Sequence, residues 1–271
     1  MNIPLCQPEV PLFSIGDIHG RYDALTKILR SATHALDTGA ARRVIFLGDI
    51  IDRGPGSVQC LDAVAEFRRR FPAQTELLMG NHEQFMFVSL LHPDTRTRLC
   101  AADNWTSSGG TWVAKLAKER IDFRLELVHE IATGPLRQTL IDFLAARGLE
   151  VATWKSHTQS GNVLCVHAGV PPHADDSTLR TFLAQPALEL PKGKGTSFPH
   201  WAWIREGFLE EDVPIPGRYI VHGHTRHDFA DERAFSEAPH DGRINLDATG
   251  TPGHIAAALI MPGRVELNIA A

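Results

Sequence analysis

Arg43-Val44-Ile45-Phe46-Leu47-Gly48-Asp49-Ile50-Ile51-Asp52-Arg53-Gly54 joins an apolar run of strand length to a glycine, an acid, a second acid, an arginine and another glycine. Val44 to Leu47 read as a strand buried on both faces, as in a parallel sheet. Gly48 lets the backbone turn where a side chain would be in the way. Asp49 then sits at the carboxyl end of a strand, where open α/β sheets bind their ligands. Taken alone, the stretch reads equally well as a strand ending in a solvated acidic turn. Recurrence of the construction decides between the two.

Leu12 to Ile15 form another apolar run, ending in Gly16-Asp17-Ile18-His19-Gly20. A helical pattern follows, with Tyr22, Leu25, Ile28, Leu29 and Ala32 on one face and Gly39 as its stop. After the opening stretch, Ser57 is placed to cap a helix whose inward face uses Val58, Leu61, Ala65 and Phe67. A third unit runs Glu76-Leu77-Leu78-Met79-Gly80 into Asn81-His82-Glu83, with a helix starting at Phe85 and Met86. Equal steps of 32 residues separate Asp17, Asp49 and Asn81, about the length of a strand–helix–strand unit. The intervening helices do not resemble one another, so these are successive βα units of one sheet. Right-handed crossovers would set the three side chains along the same sheet edge.

From His92 to Glu150 the rhythm gives way to helical signals, the clearest running from Pro135 at a first helical position to Gly148 at a carboxyl cap. Leu136, Leu140, Phe143 and Leu144 give that helix an apolar stripe. The stretch reads either as a mostly helical insertion beside the site or as ordinary core helices. Strands resume near Val151 to Trp154 and at Val163 to Val166, the latter ending in His167-Ala168-Gly169. Pro186 to Pro199 reads as a surface loop. Its Gly193-Lys194-Gly195-Thr196 is no phosphate-binding loop, because the first glycine is missing and no strand precedes it. Tyr219 to Val221 form a strand ending in His222-Gly223-His224-Thr225. Ile244 to Ala248 and His254 to Met261 read as closing antiparallel strands.

At 271 residues, 43% hydrophobic and 22% charged, the chain has the profile of a soluble α/β protein with a substantial core. One domain over residues 1–271 is expected, the helical insertion lying at about 92–150. A formal charge of -5 argues against a general nucleic-acid or anionic-membrane binder. Cys6, Cys60, Cys100 and Cys165 are scattered, which suits buried, reduced thiols in a cytoplasmic protein. Met1 to Val10 carry no secretory signal pattern, and no apolar run approaches the ~20 residues of a membrane span.

Five strand-like runs therefore end in metal-ligand residue types: Asp17 with His19, Asp49, Asn81, His167, and His222 or His224. Carboxylate, amide and imidazole suit a hard or borderline divalent ion such as manganese, iron or zinc. Asp49, at the centre of the order, is the natural bridge between two ions about 3.5–4 Å apart, a clamp suited to phosphate esters.

These segments, with Gly80-Asn81-His82-Glu83 and Gly223-His224-Thr225, resemble the ordered motifs of calcineurin-like metallophosphoesterases, and within them the phosphoprotein phosphatases. That family includes serine/threonine phosphatases and the bacterial symmetrical diadenosine tetraphosphate hydrolases. The resemblance spans Gly16 to Thr225 and implies an αββα sandwich. It implies one ion on Asp17, His19 and bridging Asp49, and a second on Asp49, Asn81, His167 and His224. Arg226 stands where the wider superfamily often has a second histidine, leaving the first ion with fewer protein ligands. His82 is implied to pair with Asp52 as proton donor to the leaving group, and Arg53 and Arg205, the latter in Trp203-Ile204-Arg205, to hold phosphate oxygens.

The expected activity is two-metal hydrolysis of phosphate monoesters by direct attack of a metal-bridging hydroxide, with manganese as the first choice of ion and iron or zinc as alternatives. Asp52-Arg53 and Glu83 resemble the protein phosphatases more than the dinucleotide hydrolases, so a phosphorylated protein is the expected substrate. The alternatives are diadenosine tetraphosphate or another small phosphoester; a non-catalytic phosphoprotein-binding module should have lost one of the matched residues. Asn104-Trp105 with Gly109-Gly110 resembles a motif of bacterial members, and either borders the pocket or packs the insertion. Asp247 reads as a support for a ligand or a turn acid, and His222 as a core residue. His34, His92, His129, His157, His173, His200, His227, His240 and His254 follow no strand–glycine pattern.

Overall fold

The computed structural model describes residues 6–191, 199–211, 214–226 and 242–271. Strands β1 (Leu12–Ile15), β2 (Arg43–Phe46) and β3 (Thr75–Leu78) lie parallel side by side. A two-residue strand, β4 (Trp154–Lys155), continues the sheet beyond β3. In the second sheet, β5 (His157–Ser160) pairs antiparallel with β6 (Val163–Val166), and β6, β7 (Tyr219–His222) and β8 (Arg243–Asn245) run parallel. Back in the first sheet, β9 (Ile255–Met261) is antiparallel to β1, and β10 (Arg264–Ala270) closes the edge, giving the order β10-β9-β1-β2-β3-β4.

Alternation along each strand explains why two sheets stack. Leu12, Ile45, Leu47 and Leu78 from the first sheet share one core with Val163, Cys165, Tyr219 and Val221 from the second. The opposite faces, including Phe13, Ile15, Val44 and Phe46, meet helices α1 (Tyr22–Asp37) and α2 (Ser57–Arg70). Leu164, Val166 and Ile220 on the far side of the second sheet pack with Leu179, Phe182 and Leu183 of α7 (Asp176–Leu183). The layers are thus helix, sheet, sheet, helix: the αββα sandwich.

Helix α3 (Asn81–Leu91) runs from β3 into the interior and is buried on nearly every side, as expected of a helix apolar all round. After it come α4 (Thr95–Ser107), a 3₁₀ segment over Gly110–Leu116, α5 (Arg124–Ala132) and α6 (Pro135–Ala145). Leu127, Ile131, Leu136, Leu140 and Leu144 join the same core as α2 and α3, so this helical stretch is an extension of the main core.

Several local expectations are corrected. The third helix starts at Asn81, four residues before Phe85, so its first turn carries the candidate ligand and His82. Ser57 caps no helix; its hydroxyl accepts the Asp52 N–H at 2.9 Å. Tyr22 is exposed, and Val151–Thr153 form a 3₁₀ turn. β8 is parallel to β7, because it enters the second sheet while β9 returns to the first. Cys6, Cys60 and Cys165 are buried free thiols, and burial pushes Cys60 and Cys165 up to about 12, but Cys100 is exposed. Gly193-Lys194-Gly195-Thr196, His227 and His240 lie outside the described residues. Among the described residues, no helix is long and apolar enough to cross a membrane.

Gly48 has φ 104°, and a Cβ there would lie 2.4 Å from the Gly80 amide nitrogen. Gly217 also has positive φ (79°), with nothing within 4 Å of such a Cβ. Gly217→Ala should therefore carry only the backbone cost, about 1–2 kcal/mol, and Gly48→Ala should lower the urea midpoint further. Equal midpoints would show that β2 and the start of α3 are not tightly opposed.

Candidate active site

The carboxyl ends of parallel strands from both sheets meet at one place. Asp17 and His19 follow β1, Asp49 follows β2, Asn81 opens α3 after β3, His167 follows β6 and His224 follows β7. The structure brings all six together, none more than 6% exposed. Their loops are tied to one another: Ile18 and His19 donate backbone N–H to the Asp49 carbonyl at 3.0 and 2.8 Å, and Gly223 to the His167 carbonyl at 2.8 Å.

Backbone carbonyls set which ring nitrogen faces inward. His19 Nδ1 donates to Ile51 O at 2.9 Å, turning Nε2 toward Asp49 Oδ2 (3.5 Å) and Asp17 Oδ2 (3.9 Å). His167 Nδ1 donates to Leu47 O at 2.8 Å, turning Nε2 toward Asn81 Oδ1 (3.2 Å) and Asp49 Oδ1 (3.5 Å). His224 Nδ1 is 2.9 Å from the same Asn81 oxygen, and its Nε2 is buried with no partner and free to carry the ring proton. Asp49 thus presents one oxygen to each group.

Burial holds His19, His167 and His224 below the ordinary histidine range, so their inward nitrogens are lone pairs. Burial would raise Asp49, and of the four histidines around it His82, whose own pKa is raised, is the one able to oppose that with a positive charge. Asp17 is pushed well above that range by burial, then by the charges of Asp247 and Asp49. His167 Nε2, Asn81 Oδ1 and Asp49 Oδ1 are three acceptors turned on one another with no proton between them, an arrangement that suits a cation. Two groups of nitrogen and oxygen donors are close enough to hold an ion each, one of His19, Asp49 and His82, the other of Asp49, His167 and His224; Asp17 stands beside the first, its Oδ2 3.9 Å from His19 Nε2.

Glu83 does work that its sequence position only hinted at. Its carboxylate accepts the backbone N–H of Asp49 (2.8 Å), Ile50 (2.8 Å), Ile51 (3.3 Å) and Gly80 (3.1 Å). Burial and the neighbouring Asp49 charge push it up to about 8, against those donors. The available signal was its place three residues past Gly80, where a glutamate side chain can reach back to the helix entry.

His82 Nδ1 is 2.6 Å from Asp52 Oδ2, and its Nε2 faces Asp49 Oδ2 at 3.9 Å. Burial lowers its pKa, but Asp49 and the hydrogen bond to Asp52 outweigh burial and raise it. Arg53, exposed, donates to His19 Nε2 at 2.6 Å, on the open side of the cluster. Arg205 lies in an irregular stretch between two turns, half-buried, and donates to the His224 carbonyl at 3.1 Å. Burial lowers its pKa while Asp49 pulls the other way, which puts its charge within range of the centre.

Asp247 is fully buried, with Oδ1 accepting the Thr249 N–H at 3.0 Å. One oxygen thus serves the turn, while Oδ2 is buried without a partner and its charge reaches Asp17. His222 stacks edge-on to Phe208 and is lowered by burial to about 3, as a core histidine would be. Trp105 and Trp112 both donate indole N–H groups to Asp52, a role that the sequence pattern assigned to neither.

The family model for calcineurin-like phosphoesterases matches residues 10–233. The fold and the donor set define a metal-dependent phosphoesterase. The chain belongs to the calcineurin-like phosphoesterase family. It is 37% identical over 75 residues to a putative serine/threonine-protein phosphatase of Schizosaccharomyces pombe, covering 28% of this chain and 23% of that one. It is 33% identical over 79 residues to a putative serine/threonine-protein phosphatase of Caenorhabditis elegans, covering 29% and 21%. The matched segment spans 21 to 34% of the length of these and similar curated relatives. A serine/threonine phosphatase structure from Saccharomyces cerevisiae superposes over 97% of this chain and 80% of its own, with a TM-score of 0.53 at 16% identity, a likeness of fold.

If Asp49 serves both groups, Asp49→Asn should lower bound divalent ion per chain and abolish turnover, since an amide cannot offer two anionic oxygens. Full occupancy with near-normal turnover would sink that role. Glu83→Gln puts an amide NH₂ against N–H donors, and each buried donor left unpaired costs about 1–3 kcal/mol. The expected result is a lower urea midpoint and weaker ion uptake together; unchanged values of both would show that Glu83 does not hold the Asp49 loop.

Proposed function

We propose that this phosphoesterase is a serine/threonine protein phosphatase. The observation that carries the reading is the His82–Asp52 pair, 2.6 Å apart, beside the Asp49 carboxylate. A serine or threonine alkoxide is a strong base and leaves phosphorus slowly unless it is protonated as the bond breaks. A nucleotide phosphate is a weak base and leaves without help. A raised, carboxylate-held imidazole is therefore an asset for the first reaction and nearly idle in the second.

In this reading Asp17, His19 and Asp49 hold one divalent ion, and Asp49, Asn81, His167 and His224 hold a second, with manganese the first choice. When bound, such ions supply a water of lowered pKa and offset the charge of the phosphoryl group. Arg53, on the open side, grips phosphate oxygens through its planar fork. Arg205, anchored through the His224 carbonyl, does the same from beside the loop after β7. His82 Nε2 gives its proton to the departing oxygen while Asp52 keeps hold of Nδ1. Free thiols at all four cysteines support a cytoplasmic setting.

Product analysis of manganese-loaded protein on a phosphoserine peptide and on diadenosine tetraphosphate, side by side, tests the substrate. The peptide should win in kcat/KM; preference for the dinucleotide would overturn the proposal. For His82→Asn, kcat on phosphoserine should fall within the ~10²–10⁴-fold range of general acid catalysis, with a much smaller loss on p-nitrophenyl phosphate. Equal losses would mean that His82 is not the proton donor. Arg205→Ala should weaken competitive inhibition by inorganic phosphate about ten- to a hundredfold, whereas an unchanged inhibition constant would return Arg205 to a structural role.

A further inference from the structure

Asp52 is fully buried, and both of its oxygens are engaged. Oδ2 takes His82 Nδ1 at 2.6 Å and the Trp105 indole N–H at 2.9 Å; Oδ1 takes the Trp112 indole N–H at 2.7 Å. The two tryptophans come from separate pieces of the helical stretch, α4 and the 3₁₀ segment after it. Their rings meet edge to face, centroids 6.3 Å apart, and both are buried, Trp105 entirely and Trp112 to 8% exposure.

The connection between them is shaped for this approach. Gly109 has φ 123°, and a Cβ there would lie 2.8 Å from the Arg53 amide nitrogen; one on Gly110 would lie 2.7 Å from the Trp105 ring. The segment therefore lies directly against the Asp52–Arg53 backbone. Two tryptophans serving only to fill space would have no need to aim both N–H groups at one carboxylate.

We infer that Trp105 and Trp112 are positioning residues for the proton-donating pair: their indole N–H groups lock the Asp52 carboxylate in the orientation that grips His82. The inference rests on the reading of His82 as proton donor. An indole N–H donates and never accepts. With one indole on each oxygen, Asp52 is held as an acceptor on both sides, so the proton it shares with the imidazole stays on His82 Nδ1. Rotation of the carboxylate would break an indole hydrogen bond in a buried site. The imidazole plane is thereby set, with Nε2 turned to the reaction centre. Asp52 itself has positive φ, 74°, a backbone state that needs its surroundings to hold it. The helical stretch thus governs how readily a basic leaving group departs, without touching the substrate.

Trp105→Phe and Trp112→Phe keep the rings and remove one N–H each. Three quantities are read in each variant and in the double: divalent ion content, kcat on phosphoserine peptide and p-nitrophenyl phosphate, and the low-field proton resonance of His82 Nδ1–H in protein labelled with ¹⁵N-histidine. The expected result is unchanged ion content and a resonance shifted or broadened. Turnover of p-nitrophenyl phosphate should stay near wild type, and phosphoserine turnover in the double variant should fall about tenfold or more. Combined with His82→Asn, the tryptophan changes should cost nothing further on either substrate. An unmoved resonance, or equal losses on the two substrates, overturns the inference. A moved resonance with equal losses for His82→Asn itself would leave the positioning standing and overturn the proton-donor reading instead. If the double variant fails to fold, Trp112→Phe alone, at the less buried ring, gives the same readouts.

Discussion

Taking the Asp49 carboxylate out of water leaves a negative charge in the middle of a two-sheet sandwich, and much of the surrounding structure answers that one fact. A buried charge without partners costs several kcal/mol. Here it accepts the His82 backbone N–H at 3.1 Å and faces the His82 imidazole at 3.9 Å, and the turn that carries it is held by Glu83, a second buried acid. Glu83 is compensated in turn by four backbone N–H groups, so the burden passes from side chains to the main chain. Dipoles fixed in the backbone cannot rotate away, and they keep the Asp49 turn in one place.

The same demand explains the backbone. Six described residues other than glycine have positive φ, and five of them, His19, Asp49, Asp52, Arg53 and His224, belong to the site. Such conformations cost of order 1–3 kcal/mol each and persist where neighbours over-determine them. Strand-end loops on a buried sheet provide that: Gly54 N–H is tied to His19 O, Gly20 N–H to Ile50 O, and Gly223 N–H to His167 O. Side chains leave these turns at angles that regular strands or helices cannot supply, and so converge from five strands.

Two parts of the fold contribute differently. The sandwich supplies the candidate metal ligands from both sheets, so the sheets must stay stacked for the second group of donors to exist. The helical stretch after α3 contributes no such ligand, yet its Trp105 and Trp112 reach the carboxylate behind His82. The candidate ligands and the His82–Asp52 pair thus share the β2 loop and the start of α3, while the support behind Asp52 comes from the separate helical stretch.

Strand ends, the order of the units and the ligand residue types were legible in the sequence, because each is local. An apolar run closing on Gly-Asp or Gly-Asn reports its own burial and its own turn. Helix starts and strand directions were less legible: α3 begins at Asn81, where Glu83 reaches back to the Gly80 N–H, and β8 turns out parallel because it joins the second sheet. The first leaves a faint local signal; no local pattern records the second. Nothing in Trp105, Trp112 or Glu83 taken singly announces a partner in Asp52 or Asp49, since those contacts join residues 30 or more apart. The chain alone pointed to the side chains at the strand ends as candidate ligands. Only the tertiary structure decided which nitrogen of His19 and of His167 faces inward, because the Ile51 and Leu47 carbonyls, from the loop after β2, take the opposite ring proton.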